Sequence, residues 1–479
     1  MWPMEASFAA NQQLKVDLSA STGTITYGAA DWYNYNNVLK MRGVIILKKI
    51  WAFSISVLLL LAVLLSGCSK GNTTTSNGGK ATVLNFWTFQ ELHKGFMDDA
   101  VVTWNKNHPD KQIVLKTDVF PFDDEHNKLL IALQSGNGAP DLADIEIGKF
   151  ANFLKGNKPA LVELNNIVDP VKDKLIMGRM ENYAKDGKYY GIDYHVGAEV
   201  IYYNKEILDQ AGVDPDTIIT WDDYIAAGKK VVEKTGKQMT TIETVQDWSC
   251  YPLMKMQGSD LLDKSGNVIM DNPINVKTMQ MLQDMLYKDK IAVPAPGGYH
   301  HTEEYYSWMN QGNAASIWMP MWYMGRFVQY MPELKGKMII RPMPVFPGGK
   351  KSAGMGGTGT VVTTQSANIE LAKQLLAEAK LSKEGSIKAW TILGFDPIRS
   401  DAWSDPAMTA PNKYTDYFGT DIFPTLQSVV GDIDSLNVGP KFPEAISLLD
   451  KIVCFRVLKE QSQSPAEALK EVAEELKRK

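Results

Sequence analysis

Apolar and polar residues alternate over residues 81–86 (ATVLNF), and the pattern returns over 113–119 (IVLKTDV); both stretches predict strands. Between them, Phe96, Ala100, Val101 and Trp104 recur at helical spacing within 95–107. His108-Pro109 ends that helix, because proline cannot continue its hydrogen-bond ladder. A second helix is expected over 127–134, closed by Ser135-Gly136-Asn137-Gly138, and a third strand over 142–147 (LADIEI). Strand, helix, strand, helix, strand is the pattern of an α/β fold with a largely parallel sheet, in which ligands gather outside the carboxyl ends of the strands. Downstream, Asp263-Lys264-Ser265-Gly266-Asn267 predicts a turn or hairpin, 276–288 a methionine-rich helix and 294–298 (PAPGG) a loop. Residues 371–381 and 465–479 read as amphipathic helices. Thr220, followed by Asp222 and Asp223, is a helix N-cap signal, which makes Trp221 structural; Trp104, on a helix face, reads the same way.

One apolar run breaks this pattern. After Met41, the cations Arg42, Lys48 and Lys49 precede the run from Ile50 to Leu65, which ends in Leu65-Ser66-Gly67-Cys68. A basic head, a short apolar core and small residues before the cut make a secretory signal, and sixteen residues fall short of the ~20 a membrane span needs. Cysteine after Leu-Ser-Gly resembles the bacterial lipobox, which implies acylation of Cys68 and a lipid anchor on the outer face of the cytoplasmic membrane. A signal anchor with an incidental cysteine is the alternative. Residues 1–40 have no targeting character and read as a non-native upstream extension, 41–67 as the signal and 68–80 (with GNTTTSNGGK) as a flexible tether.

The whole chain has 479 residues, 44% hydrophobic and 22% charged, with a formal charge of −5. That usage excludes a disordered or collagen-like chain, and the absence of a basic field argues against nucleic acid as a partner. Three cysteines, none in a metal-like spacing, exclude a disulfide scaffold. Whether Cys250 and Cys454 meet is left to the fold. The 12 Trp, 19 Tyr and 16 Phe supply the flat apolar surfaces that a sugar-binding cleft needs.

Several segments occur in a telling order: NFWTF at 85–89, LQSGNGAPDLADIE at 133–146, DGKYYGID at 186–193, YYNKEILDQAGVDP at 202–215, TWDDY at 220–224 and GNAASIWMPMW at 312–322. This set resembles the extracellular solute-binding proteins of carbohydrate ABC importers, the maltose-binding-protein-like class, over essentially all of 81–479. NFWTFQELH, KFANFLKG, PAPGGYHHTEEYYSWMNQG, WYMGRF, IRPMP and LGFDPIR further resemble Gram-positive lipoproteins that bind arabinose or arabino-oligosaccharides. The resemblance implies a two-lobe periplasmic-binding-protein-like α/β fold of the class II type, with discontinuous lobes joined by a hinge. It places crossings near His195, near 343–346 and near Arg399, giving lobe 1 as 81–195 plus 346–399 and lobe 2 as 196–345 plus 400–479.

A sugar stacks its C–H face on an aromatic ring and directs its hydroxyls at charged or amide groups. Trp87, Thr88 and Gln90 follow the first strand at the ligand edge; a core role is the alternative for Trp87. Trp322, followed by Tyr323, matches the family's stacking tryptophan, and Trp248 sits after Glu243 and Asp247. Glu146, ending the third strand on the face shared with Asp144, is the preferred acidic ligand, set against a solvated edge carboxylate; Asp141 reads as architectural. His195 lies at a crossing, Gly356-Gly357 would let backbone approach a ligand, and Arg399 would pair with Asp396 or lie near the cleft. His300 and Glu304, four apart, would share a helix face, yet two such ligands make a poor zinc site; a polar helix start is the preferred reading, and neither metal nor cofactor is expected.

The expected function is therefore a non-enzymatic, membrane-tethered extracellular receptor. It would bind a sugar, an arabinose-containing oligosaccharide in the first instance, between two lobes and deliver it to ABC permease subunits. The alternatives are a lipid-anchored glycoside hydrolase and a carbohydrate-binding adhesin. Against the first, no carboxylate pair is singled out and no G-x-S-x-G, H-E-x-x-H or P-loop occurs; against the second, there is no tandem repeat.

Overall fold

The computed structural model describes residues 81–156, 158–433 and 436–479. The extension, the signal, Cys68 and the tether lie outside the described residues. The chain opens β1 (Thr82–Thr88), α1 (Glu91–Asn107), β2 (Ile113–Val119), α2 (Phe122–Ser135), β3 (Leu142–Glu146) and α3 (Ile147–Phe150). It continues through β4 (Glu199–Asn204), α4 (Lys205–Ala211), α5 (Trp221–Thr235), β5 (Thr240–Ile242), α6 (Tyr251–Met256), α7 (Pro273–Tyr287) and β6 (Ala292–Pro294). Next come α8 (Glu303–Asn310), β7 (Ser316–Pro320), α9 (Met324–Tyr330), β8 (Met338–Arg341), β9 (Thr358–Val362) and α10 (Ile369–Leu376). Among the later helices, α11 (Phe442–Leu448) and α12 (Pro465–Arg478) flank a π-helical stretch, Leu449–Lys459.

The first sheet has the order β9-β3-β1-β2. β1 runs parallel to β2, from Thr82↔Ile113 to Thr88↔Val119, and parallel to β3 at Phe86↔Leu142, while β9 pairs antiparallel with β3, Thr358↔Glu146. The two-residue period of β1 divides its side chains between faces. Leu84 and Phe86 pack with Phe96, Met97 and Trp104 of α1; Trp87 packs with Leu129 and Leu133 of α2. The second sheet has the order β8-β4-β7, all antiparallel. Beside it lies the parallel β5-β6 pair, next to β7 through a bridge from Gln238 to Ala314. β4 is buried on both faces, with Ile201 and Tyr203 in one apolar cluster and Val200 and Tyr202 in another.

Three segments connect the neighbourhoods of the two sheets and lie side by side. Ile192 still bridges to Thr360 of the first sheet, whereas Glu199 already pairs with Pro320 of the second. The return runs from Arg341, paired with Ile201, to Thr358, paired with Glu146. The third runs through Asp396 to Arg399, which bridges to Leu175. They are sewn together by main-chain bonds from Val196 to the Asp396 carbonyl (2.8 Å), Glu199 to Ala353 (2.9 Å) and Met355 to Gly197 (2.8 Å).

Several element ends depart from the pattern. α2 begins at Phe122, not near 127, because Asp123 and Asp124 sit in its first turn, where acidic side chains favour the positive end of the helix dipole. α1 starts four residues before 95. β3 stops at Glu146, whose side chain accepts from the Gly148 N–H and caps α3. Around 371–381 the α-helix ends at Leu376 and five π-helical residues follow. The turn or hairpin expected at 263–267 is a turn closed by one bridge, Leu262↔Val268. Thr220 and Asp223 form a full capping box for α5.

Candidate functional site

At the carboxyl end of the first sheet, β1 delivers Trp87 and Thr88. Trp87 is only 7% exposed; Phe120 meets it edge-on at 5.3 Å and the Lys128 ammonium lies 4.3 Å above its ring. It is built into the core rather than presented on a loop. The Thr88 hydroxyl donates to Asp144 (2.8 Å), which also accepts from Thr360 (2.6 Å) and lies 2.9 Å from His93. Asp144 therefore faces the interior and fastens β1, α1 and β9 together. Gln90 accepts from Arg326 of α9 (2.9 Å). Glu146 is half-buried; burial pushes its carboxyl up to about 7, against the opposing bond from Gly148 (2.7 Å).

Three rings meet at the carboxyl end of β7. Trp248 stands edge-on to Trp322 at 5.2 Å, His301 stacks on Trp322 at 5.5 Å and 21°, and His301 meets Trp248 at 5.9 Å. The order of the chain imposes this grouping. Pro320 pairs with Glu199 and ends β7, so Met321–Tyr323 turns immediately and sets Trp322 at the strand's end. Tyr323 points inward, fully buried, and its hydroxyl donates to the His300 carbonyl (2.6 Å), so it anchors the loop that carries His301. The Trp322 indole N–H reaches the Met355 carbonyl at 3.4 Å.

Gly356 and Gly357 close the other side. Gly356 has φ 67°, and a Cβ there would sit 3.0 Å from the Trp322 indole nitrogen and 3.2 Å from Trp248. Gly357 has φ 142°, and its Cβ would fall 2.5 Å from Arg179 Nη2 and 2.6 Å from the Tyr183 hydroxyl. Both positions need glycine for conformation and for space. Beneath them Arg179 donates to Asp193 (3.0 Å) and to the Gly356 carbonyl. Asp193 also accepts from Tyr183 (2.9 Å) and from the Thr358 N–H (3.0 Å).

A group of acids borders the rings. Both carboxyl oxygens of Glu199 are buried with no hydrogen-bond partner among the described residues, and burial, then Glu243 and Asp247, hold its pKa well above the usual range. Glu243 accepts from the N–H groups of His300 (2.7 Å) and Trp248 (3.2 Å); burial still pushes it up to about 8. Asp247 is pushed up to about 6, mainly by burial. A protonated carboxyl can donate as well as accept, which suits a ligand rich in hydroxyls. His195 is buried and neutral, its pKa lowered to about 3 by desolvation; its Nδ1 has no hydrogen bond and lies 3.9 Å from Asp396. Nε2 of His301 is likewise buried and unpartnered.

Arg399 corrects one expectation. It pairs with Asp401 (2.6 and 3.0 Å) and the Leu381 carbonyl, not with Asp396. Two residues of separation along a 3₁₀ turn bring Asp401 into reach, while Asp396 is engaged by the Ala198 N–H (2.8 Å). His300 precedes the helix that Glu303 opens, so it does not share a face with Glu304; it lies 3.2 Å from Glu243 and 2.9 Å from Thr241. Among the described residues no group of three or more His, Cys, Asp or Glu is placed to hold a metal.

The structure thus groups Trp248, Trp322, Gly356 and Gly357, with Glu146 at the end of β3 and His195 in the segment that leads to β4. Trp87, Thr88, Tyr323 and Arg399 are occupied by framework contacts. Sequence reasoning passed over Glu199, Arg179 and Asp193, weighed His301 only within the His300–Glu304 run as a poor metal site, and noted Glu243 and Asp247 only as neighbours of Trp248. The clue for Glu199 was an acid opening a buried strand whose next four residues are Val, Ile, Tyr and Tyr; nothing local marked Arg179 or Asp193.

The profile of the bacterial extracellular solute-binding proteins matches residues 87–384. An arabinooligosaccharide-binding protein of Bacillus subtilis is 47% identical over 436 residues, 90% of this chain and 100% of the relative. One from Halalkalibacterium halodurans is 50% identical over 395 residues, 82% and 88% of the two chains. Among solved structures, an ABC substrate-binding protein of Listeria monocytogenes in complex with cycloalternan superposes with a TM-score of 0.69 at 20% identity, covering 84% of this chain and 99% of that one. The ABC transporter associated binding protein from B. animalis subsp. lactis Bl-04, in complex with β-1,6-galactobiose, gives 0.69 at 22%, covering 83% and 97%. These likenesses identify the fold as the two-lobe α/β architecture of maltose-binding-protein-like receptors.

Proposed function

This chain belongs to the bacterial extracellular solute-binding proteins, and from that premise we propose that it is the receptor of an ABC importer for an arabinose-containing oligosaccharide. The relatives named for arabino-oligosaccharides support the ligand class. The observation that carries the reading is the trio of Trp248, Trp322 and His301, bordered by the unpartnered buried carboxyl of Glu199. Aromatic faces take the apolar side of a sugar ring, and buried polar groups without a protein partner are stabilised by ligand hydroxyls.

In this reading Trp248 and Trp322 supply the stacking surfaces. Glu146, His195, Glu199, Asp247 and His301 supply hydroxyl partners, and the Gly356-Gly357 backbone comes close to the ligand. Thr88, Gln90, Trp87, Tyr323 and Arg399 hold the frame. Residues 81–195 with 346–399 form one lobe and 196–345 with 400–479 the other, and ligand shifts the population toward the closed arrangement. The signal is cut before Cys68, whose lipid holds the receptor at the outer face of the membrane; the sugar passes intact to the permease. The second reading is a glycoside hydrolase, because carboxyls raised by burial are also the tools of such enzymes.

Titration of arabino-oligosaccharides into the full-length protein, followed by tryptophan fluorescence and then by chromatography of the sugar, separates the two. A saturable change with intact sugar supports the receptor; shortened chains support the hydrolase. Trp322→Ala should weaken binding about ten-fold if stacking is worth roughly 1–1.5 kcal/mol. Unchanged affinity removes Trp322 from the site.

A further inference from the structure

Cys250 and Cys454 are 204 positions apart in sequence, and both are fully buried. Cys250 is the residue before α6, two after Trp248; Cys454 lies midway along Leu449–Lys459. Their sulfurs are 3.8 Å apart. Cys250 Sγ donates to the Asp247 carbonyl (3.4 Å), which leaves the Cys454 thiol to donate to Cys250. The α7 and α12 helices pack on the Cys454 stretch, and the Gln283 amide and Tyr287 hydroxyl donate to the Val457 (3.0 Å) and Leu458 (2.5 Å) carbonyls. The two sulfurs therefore sit where the loop carrying Trp248 meets the C-terminal helical layer.

We propose that Cys250 and Cys454 are a covalent modification site: in the exported protein they are joined by a disulfide that fastens the Trp248 loop to the C-terminal helices. The inference rests on the extracellular reading above, since disulfides persist in oxidising surroundings. Contact between the sulfurs means that closure to about 2.05 Å needs side-chain movement of under 2 Å. The oxidant is an exogenous disulfide, either a small-molecule disulfide or the active-site disulfide of a thiol oxidoreductase. One cysteine thiolate attacks it, forming a mixed disulfide and releasing the first thiol. The other cysteine attacks the protein sulfur of that mixed disulfide, releasing the second thiol. Two cysteine protons are lost, and the two electrons reduce the oxidant to two thiols.

Timing follows from the surroundings. The bond to Cys454 pulls the Cys250 thiol down, but burial and the carboxyls of Asp247, Asp450 and Glu243 outweigh it and leave that thiol above its usual range. The bond to Cys250 raises Cys454 first, and burial raises it further. Folded, both thiols stay protonated and poorly nucleophilic, so the bond forms while the chain is folding. Once formed, it closes a loop of roughly 200 residues, the kind of long closure for which the entropic gain is greatest in the chain-entropy model.

The test uses the full-length chain exported from a bacterial host. Proteolysis without reduction, followed by mass spectrometry, should show the Cys250 peptide linked to the Cys454 peptide, two hydrogens lighter than the free pair. Thiol titration in denaturant should find neither cysteine free. The same protein refolded under a phosphine reductant should melt lower by roughly 5 °C or more. Two free thiols in the exported protein, or equal melting of linked and reduced forms, overturns the inference. The wild-type comparison avoids reliance on Cys250→Ser or Cys454→Ser, which perturb the core. Sugar titration of the same sample keeps the premises apart: saturable binding with free thiols sinks only the disulfide, and a linked protein that binds no sugar sinks only the receptor.

Discussion

Replacing Arg179 with methionine tests how the glycine pair is held. Arg179 is 1% exposed and its partner Asp193 is fully buried, 3.0 Å away. At an effective dielectric of 20, charges ~4 Å apart attract by roughly 4 kcal/mol. Two features reduce the net loss. Asp193 keeps donors from Tyr183 (2.9 Å), the Thr358 N–H (3.0 Å) and the Tyr194 N–H (2.8 Å). The guanidinium also carries two buried nitrogens, Nε and Nη1, without a hydrogen bond, and their desolvation cost vanishes with the side chain. One feature increases it: the Gly356 carbonyl loses its donor. The expected cost is about 2–4 kcal/mol, near the lower end for breaking a buried pair. Asp193→Asn on that background should restore about 1 kcal/mol or more. Its amide oxygen can accept from Thr358 and Tyr194, and its NH₂ can donate to Tyr183, with no charge left behind. Urea unfolding followed by tryptophan fluorescence measures both, and sugar titration reads the loop. A single variant within about 0.5 kcal/mol of the parent, or a double variant weaker than the single, refutes the account.

Gly357→Ala should cost about 3 kcal/mol or more, since it adds positive-φ strain to a Cβ 2.5 Å from Arg179; Gly356→Ala should cost less, about 1 kcal/mol for its own positive φ, and should also lower sugar affinity, because its Cβ meets the two indoles. Comparing unfolding with titration for the two variants distinguishes them. Stability should decline as pH rises from about 6.5 to 8; above that Lys380, lowered to about 7 by burial, acts oppositely and offsets Glu125. Burial pushes Glu125 up to about 9 and Glu243 to about 8, so the folded chain keeps protons there that the unfolded chain has lost above about 4.5. His126, lowered to about 4, and His195 and His300, lowered to about 3, act oppositely: their contribution is present above 6.5 and lost as pH falls. Glu125→Gln should flatten the alkaline slope in denaturant titrations at pH 6.5, 7.5 and 8.5; an unchanged slope argues against a buried proton on Glu125.

What the sequence settled by itself is local. The two-residue period of β1 and β2, the stop at His108-Pro109 and the capping box at Thr220 depend on neighbours a few residues away, and each stands in the structure. The same locality explains the misjudged start of α2: its signal, Asp123 and Asp124 in the first turn, was present but unread. Trp104 and Trp221 were legible as framework because helix spacing and capping fix which way they point. The site was legible only in part. Trp248 and Trp322 were named singly, but their contact joins residues 74 apart, and His301 enters from a third segment. Arg399 had two acids in sequence range, and only the backbone path between 396 and 401 chose Asp401. The unpaired state of Glu199, the Arg179–Asp193 bond under Gly357 and the meeting of Cys250 with Cys454 were decided by tertiary structure. Periodicity and capping are set by bonds within one turn or one strand, whereas burial and long-range pairing depend on which elements come to lie against each other.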